Sequence, residues 1–141
     1  MRFWDSSAIV PTLVSEPTSE ALRTLFRGDP DITVWWGTVV ECTSAIARRE
    51  RGGALGPTES IEGHAALEAL ADTWTEIPPS DGVRVAAGRL VRVHDLRAAD
   101  AFQLAAAQVA ADGRPGTLPF VTPDDGLALA ARREGFPVLP G

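Results

Sequence analysis

Four acidic residues lie at sequence positions that are typical of catalytic or metal-binding carboxylates. Asp5 directly follows the apolar segment Met1–Trp4, and Asp124 lies three residues after Val121. The other two stand in the first turns of predicted helices: Glu41 and Asp100. Carboxylates that converge on one place repel each other unless a cation lies among them, and oxygen ligands select Mg²⁺ or Mn²⁺. Such a site can acidify water and stabilise the charge that grows on a phosphodiester.

Three of these acids also have a purely structural explanation. Asp5 and Asp124 stand where predicted helices begin, and Asp is a favoured N-cap. Thr38 and Glu41 have the spacing of a capping box, in which the Glu closes back on the N-cap amide. What favours function over capping is that all three follow predicted strands and so fall at one edge of the predicted sheet.

Asp100 has the weakest structural explanation. It lies in the first turn of the predicted helix Arg97–Ala111, near an apolar stripe that contains Leu104. An acid beside an apolar face is costly unless it is paired or holds a metal ion. The alternative is an ion pair with Arg97, three residues earlier on the helix.

The elements that must position these acids alternate along the chain. The predicted strands are Met1–Trp4, Asp31–Trp35, Glu76–Ile77, Leu118–Val121 and Phe136–Leu139. The predicted helices are Ser6–Val14, Thr18–Phe26, Thr38–Arg51, Pro57–Trp74, Asp81–Val93, Arg97–Ala111 and Asp124–Arg133. Strands that alternate with helices predict an α/β fold with a parallel sheet covered on both faces. Ligands bind such sheets beyond the carboxyl ends of the strands.

Composition narrows the class of protein. The chain has 45% hydrophobic and 23% charged residues, no repeat and a length of 141 residues, so we expect one globular domain over residues 1–141. It has no apolar run of membrane-spanning length and no signal-peptide pattern, which predicts a cytoplasmic protein without membrane contact. The net charge of −6 argues against a basic nucleic-acid coat. Cys42 is the only cysteine, so neither an internal disulfide nor a cysteine zinc site forms.

Four motifs, in order, resemble those of one known family. They are Phe3-Trp4-Asp5-Ser6-Ser7-Ala8-Ile9-Val10, Thr38-Val39-Val40-Glu41, Leu96-Arg97-Ala98-Ala99-Asp100-Ala101-Phe102-Gln103 and Phe120-Val121-Thr122-Pro123-Asp124. Together they resemble PIN-domain ribonucleases of the VapC-like kind, the toxins of bacterial toxin–antitoxin pairs. The resemblance implies a three-layer α/β/α domain with a central parallel sheet.

The resemblance also implies roles for single residues. The metal-binding and catalytic acids are Asp5, Glu41, Asp100 and Asp124, and the cofactor is Mg²⁺ or Mn²⁺. Ser6 and Thr122 are hydroxyls that orient the carboxylates or a water. Pro11 and Gln103 depart from the family, which often has Lys and His there. We expect neither to contact the four acids, so these departures concern substrate contacts.

The resulting hypothesis is a metal-dependent endoribonuclease toxin. Its partners are an RNA substrate, a cognate antitoxin and a second copy in a homodimer. One of three arginine groups, at 48–51, 84–97 or 132–133, could follow the RNA backbone. The alternative is a non-catalytic PIN-fold domain that acts through protein partners. A phospho-accepting receiver domain is excluded because the chain contains no lysine.

Overall fold

Short strands and amphipathic helices alternate through the computed structural model, which describes residues 1–141. The strands are β1 Arg2–Trp4, β2 Ile32–Trp35, β3 Thr75–Ile77, β4 Phe120–Val121 and β5 Val138–Leu139. The helices are α1 Ser6–Leu13, α2 Ser19–Gly28, α3 Thr38–Arg51, α4 Pro57–Ala71, α5 Asp81–Val93, α6 Ala98–Ala111 and α7 Asp125–Arg133. None of these helices is long and apolar enough to cross a bilayer.

All five strands are parallel and lie in the order β3-β2-β1-β4-β5. The first strand is therefore at the centre, with Phe3 opposite Thr33 on one side and Phe120 on the other. A central strand that pairs on both sides is buried on both faces, which explains why the segment Arg2–Trp4 is mostly apolar. The chain segments that follow β1, β2 and β4 emerge together at the carboxyl edge.

The two faces of the sheet build two separate cores. Side chains alternate along a strand, so Phe3 packs on one face and Trp4 on the other. Phe3 stacks on Phe120 with ring centroids 5.4 Å apart, in the core formed with α5, α6 and α7. Trp4 belongs to the core beneath α1, α2, α3 and α4. The predicted three-layer α/β/α architecture with a central parallel sheet is confirmed.

Local chemistry accounts for the start of α5 and the end of α6. The side chain of Ser80 caps α5 by accepting from the amide of Val83 at 3.2 Å. Helix α6 ends where Asp112 takes a left-handed conformation, with φ of 46°, before glycine. Four predicted bounds are wrong by two or three residues: α2 ends at Gly28 and not at Phe26, β5 starts at Val138 and not at Phe136, and the other two belong to α4 and β4. Helix α4 stops at Ala71, since Trp74 turns away to pack in a core, and Leu118 follows a 3-10 turn, Pro115–Thr117, outside β4.

Candidate active site

Adjacent parallel strands deliver Asp5 and Asp124 to one edge. In β1 and β4, Trp4 is opposite Val121, and the amide of Asp5 donates to the carbonyl of Val121 at 3.1 Å. Because both strands end at this register, the residues that follow them leave the sheet side by side. The predicted convergence of these two acids follows directly from the strand pairing.

Asp5 is a buried carboxylate held by hydroxyl groups. Its side chain is 3% exposed and accepts hydrogen bonds from Ser7 Oγ and, at 2.9 Å, from Thr122 Oγ1. Burial raises the pKa of Asp5 to about 6, against the opposing effect of those hydroxyls, and the charges of Asp100 and Asp124 raise it further. Asp5 occupies the N-cap position of α1 as predicted, but its side chain makes no capping hydrogen bond to the helix.

Thr122 links the ends of the two strands. Its hydroxyl donates to Asp5 and accepts the amide of Asp124 at 3.1 Å, and the residue is 3% exposed. Ser6 lies at the outer limit of contact, with its Oγ 3.5 Å from Asp5 Oδ1. Ser7 was missed by sequence reasoning. A serine two residues after an acid at a helix start is the available signal, since its hydroxyl can reach back to that acid.

Glu41 is half-buried in the first turn of α3. Burial raises its pKa to about 7, a hydrogen bond from Gln103 opposes that rise, and the charges of Asp5 and Asp100 add to it. The capping box predicted as the alternative is wrong, because Gly37 is the N-cap and no side chain caps this helix. Thr38 is instead the first residue of the helix, so its side chain does not lie in the N-cap position.

Gln103 joins α6 to α3 beneath the acids. It is 1% exposed, and its Nε2 donates to Glu41 Oε2 at 2.7 Å and to Thr38 Oγ1 at 3.0 Å. The prediction that Gln103 contacts none of the four acids is therefore wrong. The prediction failed because the contact joins residues 62 positions apart, and helical periodicity alone does not show which way the amide points.

Asp100 lies half-buried in the first turn of α6. Burial raises its pKa and Asp124 adds to the rise, whereas the guanidinium and the backbone amide of Arg97 lower it. The ion pair with Arg97 that was the structural alternative does not form. Asp100 therefore carries an incompletely compensated charge beside the other acids.

Asp124 is exposed and does act as a cap. Its Oδ1 accepts the amide of Leu127 at 2.8 Å at the start of α7. Asp124 also interacts electrostatically with the other acids, because its charge raises the pKa of both Asp5 and Asp100. One carboxylate oxygen caps the helix, and the second oxygen makes no hydrogen bond within the chain.

The four acids form an electrostatic cluster without forming a ready-made cage. No three acidic, histidine or cysteine side chains are grouped as ligands around one point. A hydrated Mg²⁺ fits this arrangement, because Mg²⁺ keeps several waters and takes only one or two protein carboxylates. The donors also suit it chemically, being oxygen atoms whose negative charges are only partly offset by nearby cations. Cys42 next to Glu41 is buried, and burial raises the pKa of its thiol, so it is not a ligand candidate.

A cleft of about 840 Å³ opens beside the acids. At one end it is lined by Ser6, Ser7, Glu41 and Arg97. It continues along α3 as far as Arg48 and Arg49. The acidic edge is thus accessible to an extended ligand.

The chain as a whole matches a known family. The PIN domain family matches residues 2–132, and the chain is a member of that family. No curated protein is detectably similar in sequence. Solved structures show the same fold at low sequence identity.

Three of those structures cover nearly the whole chain. FitAcB from Neisseria gonorrhoeae has a TM-score of 0.67 and 20% identity, over 98% of this chain and 96% of the other. VapC20 from Mycobacterium tuberculosis, described as a sarcin-ricin loop cleaving toxin, has a TM-score of 0.70 and 15% identity, over 96% of each chain. A toxin–antitoxin complex from Klebsiella pneumoniae has a TM-score of 0.64 and 15% identity, over 91% of each.

Proposed function

We propose that this protein is a Mg²⁺- or Mn²⁺-dependent endoribonuclease that acts in the cytoplasm as the toxin of a toxin–antitoxin pair. The observation that carries the proposal is the convergence of acids from four chain segments at one sheet edge. The four acids are Asp5, Glu41, Asp100 and Asp124. Membership of the PIN family supports nuclease chemistry, and the fold of VapC20 supports RNA as the substrate class.

One or two of the acids would bind the cation directly, and the others would hold its water ligands. Asp5 comes from the sheet, Glu41 from α3 and Asp100 from α6, with Asp124 at the rim. When bound, a divalent cation supplies Lewis acidity that lowers the pKa of water and offsets charge on a phosphodiester. Ser7 and Thr122 fix the orientation of the Asp5 carboxylate by donating hydrogen bonds to it.

Gln103 fixes the orientation of the Glu41 carboxylate by donating a hydrogen bond to it. Its amide fixes one carboxylate oxygen at 2.7 Å and leaves the other without a partner within the chain. Its hydrogen bond favours the ionised carboxylate, so it opposes the effect of burial. The four acids and these three supporting side chains make up the proposed catalytic site.

The proposed partners follow from the neighbours and from charge. The Klebsiella structure is described as a toxin–antitoxin complex, which supports a cognate antitoxin here. An antitoxin arginine is suited to the acidic end of the cleft, since its planar fork pairs with carboxylates in two-point contacts. We also propose a homodimer, on the family resemblance.

Cleavage of RNA by the purified chain tests the function, with Asp100→Asn as the variant and exposed Asp95→Asn as its matched control. We expect cleavage by wild type with Mg²⁺ or Mn²⁺, none with a chelator, and a loss in Asp100→Asn only. Mg²⁺ should also raise the melting temperature of wild type more than that of Asp100→Asn, because the cation relieves repulsion among the acids. A folded wild type that cleaves no RNA with either cation would favour the non-catalytic binding domain.

A further inference from the structure

The cleft beside the acids continues along one face of α3. Glu41, Ser44 and Arg48 are spaced three and four residues apart, so they lie on the same face of the helix, and all three line the cleft. A helix rises about 1.5 Å per residue, which places Arg48 about 10 Å along the axis from Glu41. The face thus runs from a proposed metal ligand to a guanidinium.

The neighbouring arginine, Arg49, already forms an ion pair within the chain. Arg49 Nε lies 2.5 Å from Glu16 Oε1, its Nη2 lies 3.3 Å from Oε2, and its Nη1 donates to the carbonyl of Ala45 at 3.0 Å. This two-point pair neutralises Glu16, the only acid at that end of the cleft. Arg49 therefore has little capacity left to bind a ligand.

Arg48 differs from Arg49 in having no acidic partner. It is exposed, its Nη1 donates to Ser44 Oγ at 2.8 Å, and it forms no ion pair within the chain. A guanidinium presents donors in a planar fork that matches the oxygens of a phosphate. The end of the cleft remote from the acids therefore carries an available positive charge.

We propose that Arg48 binds a backbone phosphate of the RNA strand, outside the bond that is cut, and that the strand runs along α3 from the acids to this residue. The inference rests on the proposed ribonuclease function. The acids repel a phosphodiester, so a strand held at the acidic end needs a cation further along its path. Most residues that line the cleft are polar, which suits a charged strand better than the apolar face of a protein partner.

Arg51 offers a matched control for Arg48. It is an exposed arginine on the same helix, and it does not line the cleft, so Arg48→Gln and Arg51→Gln remove the same charge from neighbouring places. The binding probe is a fluorescein-labelled single-stranded oligouridylate, measured by anisotropy in an Asp100→Asn background so that the RNA stays intact. Cleavage is measured separately in the otherwise wild-type chain.

We expect Arg48→Gln to weaken RNA binding roughly two- to fivefold, as for an exposed ion pair. The slope of log Kd against log salt should fall by about 0.7, the value for one phosphate contact with a single strand. In cleavage, KM should rise while kcat stays unchanged, because Arg48 lies away from the acids. Arg48→Lys should keep the salt slope, and Arg51→Gln should behave as wild type.

Three results overturn the inference. Equal RNA binding by Arg48→Gln and Arg51→Gln would place the strand elsewhere. Unchanged RNA binding together with weaker binding of a cognate antitoxin would make this end of the cleft a protein-binding site. A wild type that neither binds nor cleaves RNA would remove the proposed function and this inference together, whereas the first two results leave the ribonuclease function standing.

Discussion

Replacing Asp5 with Asn should make the metal-free protein more stable at neutral pH, although Asp5 belongs to the proposed catalytic site. Its carboxylate is 3% exposed and has no cation beside it, only hydroxyl groups. Ionising a group in that environment costs free energy that the unfolded chain does not incur. An amide of nearly the same shape avoids the cost and can still accept from Thr122.

The magnitude follows from the pKa. Burial raises the pKa of Asp5 from 3.8 to about 6, and each tenfold change in proton affinity corresponds to about 1.4 kcal/mol. The ionised native state is therefore penalised by about 3 kcal/mol relative to the unfolded chain. Asn keeps only one acceptor oxygen, so the net gain in Asp5→Asn should be about 1–3 kcal/mol.

The sign of the pH dependence is also determined. A carboxyl whose pKa is raised in the folded state destabilises that state only when it is ionised. The folded protein therefore has no penalty from Asp5 below about pH 4, and it loses stability as the pH rises through about 6. The difference between Asp5→Asn and wild type should therefore be largest above about pH 7 and should narrow towards about pH 4.

Urea unfolding of chelator-treated protein across this pH range measures the effect, with exposed Asp95→Asn as the matched control. Asp95→Asn should follow wild type at every pH. Asp5→Asn should exceed wild type in free energy of unfolding only where Asp5 is ionised. A variant that is less stable than wild type at neutral pH, or one whose difference does not change with pH, would show that the hydroxyl contacts outweigh burial and would refute this reasoning.

Two further carboxylate environments give distinct expectations. Gln103→Leu removes a donor that favours ionised Glu41, so the pH profile of RNA cleavage should move to higher pH, and urea unfolding should show a loss of about 1–3 kcal/mol. An unmoved pH profile would mean that Gln103 does not act through Glu41. Burial raises the pKa of Glu134, but hydrogen bonds from Arg89 and His94 outweigh it, so the net pKa is lowered. Glu134→Gln should therefore lose stability at neutral pH, and its deficit should shrink as the pH falls below 4.5, the ordinary pKa of the group; a deficit that grows in acid would contradict this.

The sequence was sufficient to predict the sheet and the edge that carries the acids. Strand and helix segments are separated by glycine and proline, as at Gly37 and Pro78, so the alternation that defines a parallel α/β fold is visible in the chain. An acid directly after a strand must lie at the carboxyl edge, whatever its rotamer. That constraint placed Asp5 without any knowledge of tertiary contacts, and Asp124, three residues after β4, lies at the same edge.

The supporting side chains could not be predicted in the same way. The bond from Thr122 to Asp5 spans 117 positions and that from Gln103 to Glu41 spans 62, and local patterns carry no signal for either. The capping box failed for a smaller reason. The helix begins one residue earlier than the box requires, at Thr38 after Gly37, and one residue rotates a side chain by about a quarter turn.

The contrast between Asp5 and Glu134 shows what distinguishes a binding site from a structural contact. Both are acids with little exposure, but Glu134 forms an ion pair with Arg89 at 2.9 Å, so its ionised form stabilises the fold. Asp5 and Glu41 have no such cation, and both have pKa values raised towards neutrality. An added cation stabilises the fold most where it binds carboxylates whose ionised form destabilises the fold. Uncompensated charge, more than burial or acid content alone, is therefore the property on which we propose this edge of the sheet as a site for a divalent ion.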